Sequence, residues 1–391
     1  MKWRTDKTSL QALLFITAMA VAALLLAEQA VTPVQEPHYA QKLKAAKQAL
    51  LAQHTLRTVR QAKHTIVDPV NDPNGTGLIG SEYTVITTDR GDITSKLTST
   101  NPNFAAVIVQ MLTEAKLRKG DVVAVAMTGS FPALNIATLA AIEALDLRPI
   151  VISSVGSSSW GATDPAFTWL DMERVLTEHG ILRTRSAAAS IGGGKDLGRG
   201  LSPSGRAAIE AAIAKNGATF IQEKTLEESI AARLALYDRL ADKRPIKAFI
   251  NVGGGVASLG NPVSGALIPA GLSKHIGRKN FPMKGVLIRM AERGLPVIHL
   301  LDVQRLAKRY GLPIDPVPLP ELGQGPVYFK ERYDRVVLVL LVIALVGVTA
   351  AVIRLDMRHY LTRLRAAPQA MGSGGSTVPP APPPSTGTQG V

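Results

Sequence analysis

The chain contains no cysteine. That excludes a disulfide framework, a thiolate nucleophile and any cysteine-held zinc or iron–sulfur centre. Aromatic residues make up only 5% of it, too few for the stacking platforms that grip single-stranded nucleic acid, so nucleic acid is not an expected partner. Nucleotide signatures are missing as well. Gly194-Lys195 is followed by Asp196, and Ala189 stands where a phosphate-binding P-loop needs its first glycine. Gly253-Gly254-Gly255 lacks the G-x-G-x-x-G spacing of a dinucleotide site. No H-x-x-x-H pair or carboxylate cluster suggests a metal, and no cofactor motif is present.

What the chain does have is aliphatic bulk and positive charge. Its 391 residues can bury a full core, as one large domain or two small ones, and the formal charge is +14. Two runs stand apart. Residues 10–27 and 336–353 are each 18 residues of almost unbroken apolar sequence. That is close to the roughly 20 residues that cross a bilayer core as a helix. The first, behind the basic tail of Lys2, Arg4 and Lys7, reads as an uncleaved signal-anchor. A cleaved signal peptide is the alternative, but Leu26-Ala27-Glu28-Gln29-Ala30 lacks an A-x-A exit. Arg354, Arg358, Arg363 and Arg365 follow the second run. The positive-inside rule then places both termini in the cytoplasm and the region between the spans outside it, although Lys330, Arg332 and Arg335 weaken the case at the second span. Removing the seven basic and two acidic residues of the tails leaves 37 Lys/Arg against 28 Asp/Glu, so the middle of the chain is basic in its own right. An acidic polymer, an anionic ligand or the lipid surface would suit it as partner.

The expected organisation is a basic tail (1–9), a span (10–27), a helical stalk and linker (28–77), an α/β domain (78–335), a second span (336–353) and a tail (354–391) that ends in disordered Pro/Gly/Ser sequence. The stalk reading rests on the alanine-, lysine- and glutamine-rich stretch 38–63. In the domain, continuous apolar runs at 121–127, 148–154, 218–222, 246–252 and 296–301 alternate with helical spacing at 103–118, 131–146, 203–215, 225–241 and 281–293. Runs without polar alternation are the pattern of strands buried on both faces. The expected fold is therefore a three-layer α/β arrangement, a mainly parallel sheet with helices on both faces, flanked by two transmembrane helices.

Ligands of such sheets bind at the carboxyl ends of the strands. Those positions hold Thr128-Gly129-Ser130 followed by Asn135; Ser153-Ser154 with Gly156, Ser157 and Ser158; Gly192-Gly193-Gly194-Lys195; and Asn251 with Gly253, Gly254 and Gly255. Glycine amides and serine hydroxyls can cradle an anion without a metal, though glycine in strand-to-helix turns also has a purely steric explanation. The polar stretch 81–103 reads either as a solvated loop or as a loop over this cleft, with Lys96 supplying a cation. For hydrolysis, Ser130 is the candidate nucleophile and His275 the candidate base, although Thr-Gly-Ser-Phe-Pro is not the G-x-S-x-G elbow. His299, inside a strand, reads as a packed core residue.

The segments Thr94-Ser95-Lys96-Leu97-Thr98-Ser99-Thr100-Asn101-Pro102-Asn103, Thr128-Gly129-Ser130-Phe131-Pro132-Ala133-Leu134-Asn135, Ser153-Ser154-Val155-Gly156-Ser157-Ser158 and Asn251-Val252-Gly253-Gly254-Gly255 together resemble the poly-gamma-glutamate system protein family. The resemblance covers about residues 78–355 and includes the layout of a membrane segment at either end. It implies a place beside the bacterial machinery that makes and exports poly-gamma-glutamate, with membrane synthase subunits as partners. It transfers no catalytic residue. Three functions remain open: a component that binds the emerging polymer, an extracytoplasmic hydrolase or transferase that trims or releases it, and an anchored domain for a small anion.

Overall fold

The computed structural model describes residues 9–62, 68–277 and 280–366. In chain order the elements begin with α1 (Leu10–Gln29), β1 (Val31–Gln35), α2 (Tyr39–Ala62), β2 (Thr87–Asp89), α3 (Ile93–Ser99) and α4 (Phe104–Glu114). There follow β3 (Val122–Thr128), α5 (Pro132–Ala144), β4 (Arg148–Ser154), β5 (Ser157–Ser158), α6 (Trp169–Glu178), β6 (Ala188–Ser190), α7 (Pro203–Lys215) and β7 (Thr219–Phe220). The last are α8 (Leu226–Leu240), β8 (Ile246–Val252), α9 (Val256–Leu259), α10 (Pro262–Ala266), β9 (Gly271–Ser273), α11 (Val286–Glu292), β10 (Val297–Leu300), α12 (Val303–Tyr310), β11 (Phe329–Tyr333) and α13 (Arg335–Ala366).

The chain divides into two compact units, one formed by its two ends and the other by Pro33–Lys330. In the terminal unit, α1 lies along α13. Ser9 N–H donates to Asp356 at 2.9 Å near one end, and Asp334 N–H donates to the Ala30 carbonyl at 2.8 Å near the other, so the two helices are antiparallel. Leu10–Gln29 and Arg335–Asp356 are each long and apolar enough to cross a membrane. At 1.5 Å per residue, 20 residues reach about 30 Å, the thickness of a hydrocarbon core. Leucines and valines are exposed along both, with isoleucines along α13, as expected for helices that face lipid rather than a protein core. The basic N-terminal tail and the Pro/Gly/Ser tail lie outside the described residues.

The larger unit is mixed α/β around a seven-stranded sheet in the order β7-β6-β4-β3-β8-β10-β9. Every neighbouring pair is parallel except β10–β9. The strands expected from continuous apolar runs are present, and β3 is buried along its whole length. Its alternate residues feed two clusters. Val123, Val125 and Met127 join Ala45, Phe104 and Leu134 of α2, α4 and α5. Val122, Ala124 and Ala126 join Leu226 and Tyr237 of α8 and Leu287 of α11. Both faces of the sheet are therefore covered by apolar side chains, which explains why no polar alternation survives in the sequence. Helix starts carry expected chemistry. Pro132 and Pro203 sit in the first turns of α5 and α7, and Thr225 with Glu228 makes a capping box on α8.

The stalk is a correction. The helix expected in this stretch is present as α2, Tyr39–Ala62, but it belongs to the larger unit and packs on α4 and α5. Its buried stripe is Ala45, Ala49 and Ala52, small side chains that let neighbouring helices approach closely, and then Leu56. Polar side chains tie it down. Lys42 Nζ donates to the Val327 carbonyl at 2.8 Å, Gln53 to the Thr100 carbonyl at 2.7 Å and Arg60 to the Gly77 carbonyl at 2.7 Å. The α/β unit accordingly begins near Pro33 rather than at residue 78.

Candidate functional site

The sheet order contains a switch point. From the central β3, the chain moves outward through β4, β6 and β7, then returns to place β8 on the other side of β3. Loops leaving β3 and β8 diverge there and leave a crevice at the carboxyl ends of the strands. Register keeps those ends level, with Thr128 opposite Ser154 and Ser154 opposite Ser190. A cavity of about 540 Å³ occupies this position.

Loops from β3, β4, β6 and β8 all reach it. Thr128, Ser130, Ser154, Gly156, Ser158, Gly193, Gly194, Gly254, Gly255 and Lys96 line its wall as the sequence anticipated. Thr88, Asp89, Arg90, Gly91, Asp92, Ser95, Phe131, Arg199, Val256 and Leu301 complete it. The first six lie in the stretch 81–103, read as a possible loop over the cleft, but were not singled out because β2, β5 and α3, which place them, are three, two and seven residues long and leave little periodicity to read. Among the described residues, Gly194 pairs with Arg199 in an antiparallel bridge, while the backbone N–H groups of Gly193, Gly254 and Gly255 take no protein acceptor. They are donors left over for a ligand.

Other candidates serve the fold instead. Asn135 is buried and donates to the Thr128 carbonyl at 2.9 Å, fixing the end of β3 from below. Asn251 is buried and donates to the Gly253 carbonyl at 2.7 Å and to His299 Nδ1 at 3.0 Å. Burial holds the His299 imidazole down to about 4, so it stays neutral as a packed core residue. Ser153 points to the other face of the sheet, and Ser157 Oγ donates to the Gly129 carbonyl at 3.1 Å. Gly129 is a packing glycine, since a Cβ there would lie 2.4 Å from the Val155 carbonyl oxygen. Gly253 has φ +88° and turns tightly against Thr128. Gly192 is buried with φ +80°, and Lys195 is exposed and lies off the cavity lining.

The pairing of Ser130 with His275 is overturned by topology. β9 runs antiparallel to β10, with Ser273 opposite Val297, the first residue of β10. The chain therefore leaves β9 toward the amino-terminal rim of the parallel strands, carrying His275 away from the rim that holds Ser130. A lone antiparallel strand reversed the direction on which that assignment depended.

The glycine loop after β6 is anchored from beneath. Asp196 forms a buried ion pair with Arg233 of α8 at 3.1 Å and accepts from Ser190 at 2.7 Å and from Ser229 at 2.6 Å. Arg233 also donates to Ser154 Oγ at 3.1 Å, so the network reaches the cavity wall. It holds Lys195 and Asp196 at φ +56° and +63°, conformations that side-chain-bearing residues adopt only under constraint.

Lys96 is the most unusual side chain here. It is 2% exposed, a burial that lysine seldom tolerates. Its ammonium nitrogen contacts the Ser130 carbonyl, lies 2.8 Å from Ser158 Oγ and sits 4.2 Å from the centre of the Phe131 ring. Desolvation pulls its pKa down to about 7, opposed by the charge of Asp92. Asp92 is itself engaged, accepting from Ser95 N–H at 2.9 Å and from Gln304 at 2.9 Å. The reading of 81–103 as a solvated loop fails for its second half, where Thr98, Ser99, Thr100, Asn101 and Asn103 are buried too, while Ser81, Glu82, Tyr83, Val85, Asp89, Arg90 and Asp92 are exposed.

The cavity thus offers unpaired amides, hydroxyls and three cations, Lys96, Arg90 and Arg199, against the carboxylates of Asp89 and Asp92. Among the described residues, no group of three His, Asp or Glu could hold a metal ion. Comparison of the chain with protein-family models, with curated proteins and with solved structures gave no match.

Proposed function

We propose that the chain is a membrane-anchored component of a poly-gamma-glutamate synthesis or export system whose α/β unit binds the carboxylates of the polymer in the strand-end cleft. The observation that carries this reading is the convergence of four strand-end loops, with the unpaired amides of Gly193, Gly254 and Gly255, on one cavity beside Lys96. Backbone N–H groups and an amine suit a carboxylate, and the basic excess between the two spans adds long-range attraction. The family enters through the motif resemblance alone. In the same proposal the fold is three-layered, both termini are cytoplasmic, the α/β unit faces outward, and membrane synthase subunits are the protein partners.

The test uses the full chain in lipid nanodiscs titrated with poly-gamma-glutamate. Binding should occur and should weaken at least tenfold between about 50 and 500 mM salt, as screened charge contacts do. Absent or salt-insensitive binding would sink the reading. Orientation has a clean assay, because the chain lacks cysteine: Ser204→Cys on the exposed start of α7 should react with a membrane-impermeant maleimide from outside the membrane. Protection from outside would reverse the proposed topology.

A small anionic solute is the second reading, favoured by the finite cavity of about 540 Å³, which lies in the range of small-molecule sites. If glutamate dimers displace the polymer at equal molar concentration, this reading replaces the first.

A further inference from the structure

The contacts of Lys96 do more than receive an anion. A neutral amine has two N–H donors and one lone pair. Around Lys96 Nζ the Ser130 carbonyl and the face of the Phe131 ring each suit a donor, and the third neighbour is the hydroxyl of Ser158 at 2.8 Å. No carboxylate of the described residues forms an ion pair with Lys96. Asp92, whose charge acts on it, is held by Ser95 and Gln304, while Asp89, Arg90 and Arg199 face the same cavity from its wall. Ser158 is half-buried on β5, fixed by the pairing of β5 with β2 and by its N–H donating to Ser130 Oγ at 3.0 Å.

We propose that Ser158 is a nucleophile activated by Lys96 as general base, and that the cleft catalyses acyl transfer on amides or esters whose acyl group carries free carboxylates. The substrate class rests on the ligand reading above; the serine–lysine pair does not. In the first half-reaction Ser158 Oγ bonds to the acyl carbon while its proton passes to Lys96 Nζ. The bond from that carbon to the leaving amine or alcohol then breaks, and the leaving group takes the proton from the Lys96 ammonium. In the second, water or an acceptor amine attacks the ester, gives its proton to Lys96, and Ser158 departs and recovers it. Unpaired amides of the glycine loops and the Ser130 hydroxyl supply donors for the oxyanion. Lys96 is suited to the role because burial keeps about half of it unprotonated near pH 7, where a base works best.

The experiment treats the full chain in detergent micelles with a fluorophosphonate probe and maps the adduct by peptide mass spectrometry. Ser158 should carry the adduct, at a rate that rises about tenfold from pH 6 to pH 8 with a midpoint near 7, as Lys96 loses its proton. Ser158→Ala should abolish it, and Lys96→Met should slow it about 100-fold, the usual size of a general-base contribution. If Lys96→Met fails to fold, the pH profile of the unmodified chain decides the matter. No adduct between pH 6 and pH 9, an adduct confined to Ser130, or a flat pH profile overturns the proposal. Poly-gamma-glutamate binding by the Ser158→Ala chain separates the two readings. Binding kept while the unmodified chain takes no adduct overturns the dyad alone, and an adduct on Ser158 in a chain that binds no polymer supports the dyad and overturns the ligand reading.

Discussion

Ser153 and Ser154 are adjacent on β4, and the pleat sends them to opposite faces of the sheet. Ser153 Oγ lies 2.7 Å from Ser186 Oγ, which donates to Glu173 of α6 at 2.8 Å, and Ser186 N–H donates to the same carboxyl at 3.0 Å. That network is closed under α6. Ser154 joins Ser190, Asp196, Ser229 and Arg233 and also lines the cavity. One cluster ends in the core; the other ends at a place where a ligand can sit. The difference teaches that residue type does not mark a site here. The sheet face does.

The largest effect should come from the cleft-side cluster. Asp196→Ala would leave the Arg233 guanidinium buried without its counter-charge, a change that costs about 3–5 kcal/mol. Chemical denaturation should show that loss, together with weakened ligand binding as the glycine loop is released. Replacing both partners by apolar residues of similar size should restore much of the stability but not the loop geometry. A loss under about 1 kcal/mol for Asp196→Ala would mean that the cluster is not what fixes the loop.

The core-side cluster should announce itself through pH. Burial raises the Glu173 carboxyl to about 7, with hydrogen bonds from Ser186 opposing the shift. The folded state therefore holds a proton that the unfolded chain gives up above about 4.5. Stability from this group is fully present below that value and falls as pH rises to about 7, by on the order of 3 kcal/mol. Glu173→Gln should flatten this slope while leaving ligand binding unchanged. If the difference between the two proteins has no pH dependence from 5 to 8, the carboxyl is ionised in the fold and the sealed-network description fails.

A smaller effect belongs to the turn at the cleft floor. Gly253 has φ +88°, and a Cβ there would lie 2.3 Å from Thr128 Oγ1. Gly253→Ala should cost about 1–3 kcal/mol, the range for a side chain forced into that backbone region. It should also reduce affinity, because the amides of Gly254 and Gly255 are aimed by this turn. Unchanged affinity would separate the turn from the ligand.

Much of this was legible beforehand, and the reasons are physical. The long strands β3, β4 and β8 announce themselves because burial on both faces removes polar alternation. The convergence of Thr128, Ser154 and Gly254 follows from parallel strands sharing one carboxyl rim. His275 was misplaced because β9 is three residues long and antiparallel, and nothing in so short a segment reveals its direction. α2 was read as a stalk because its buried stripe is mostly alanine, which carries little hydropathy contrast, while Leu51 is exposed. The contact between Lys96 and Ser158 joins residues 62 apart through β2 and β5, elements too short to leave a pattern. Lys96 itself was legible as a cation, but not its burial.

The smallest expected change tests the premise that burial, rather than charge as such, separates the two kinds of polar group. Arg293 and Asp238 form an ion pair in which both Arg293 terminal nitrogens meet the carboxylate, at 2.7 and 3.1 Å, with both side chains about half open to solvent. The geometry is as good as that of Arg233 with Asp196, yet water screens the attraction and solvates either partner when the other is removed. Arg293→Ala should therefore cost about 1 kcal/mol or less, shrink further at high salt, and leave ligand binding untouched. A cost near that of Asp196→Ala would show that a well-aligned fork of hydrogen bonds carries the energy wherever it lies. The buried cluster beside the cleft would then have no special claim to hold the loop.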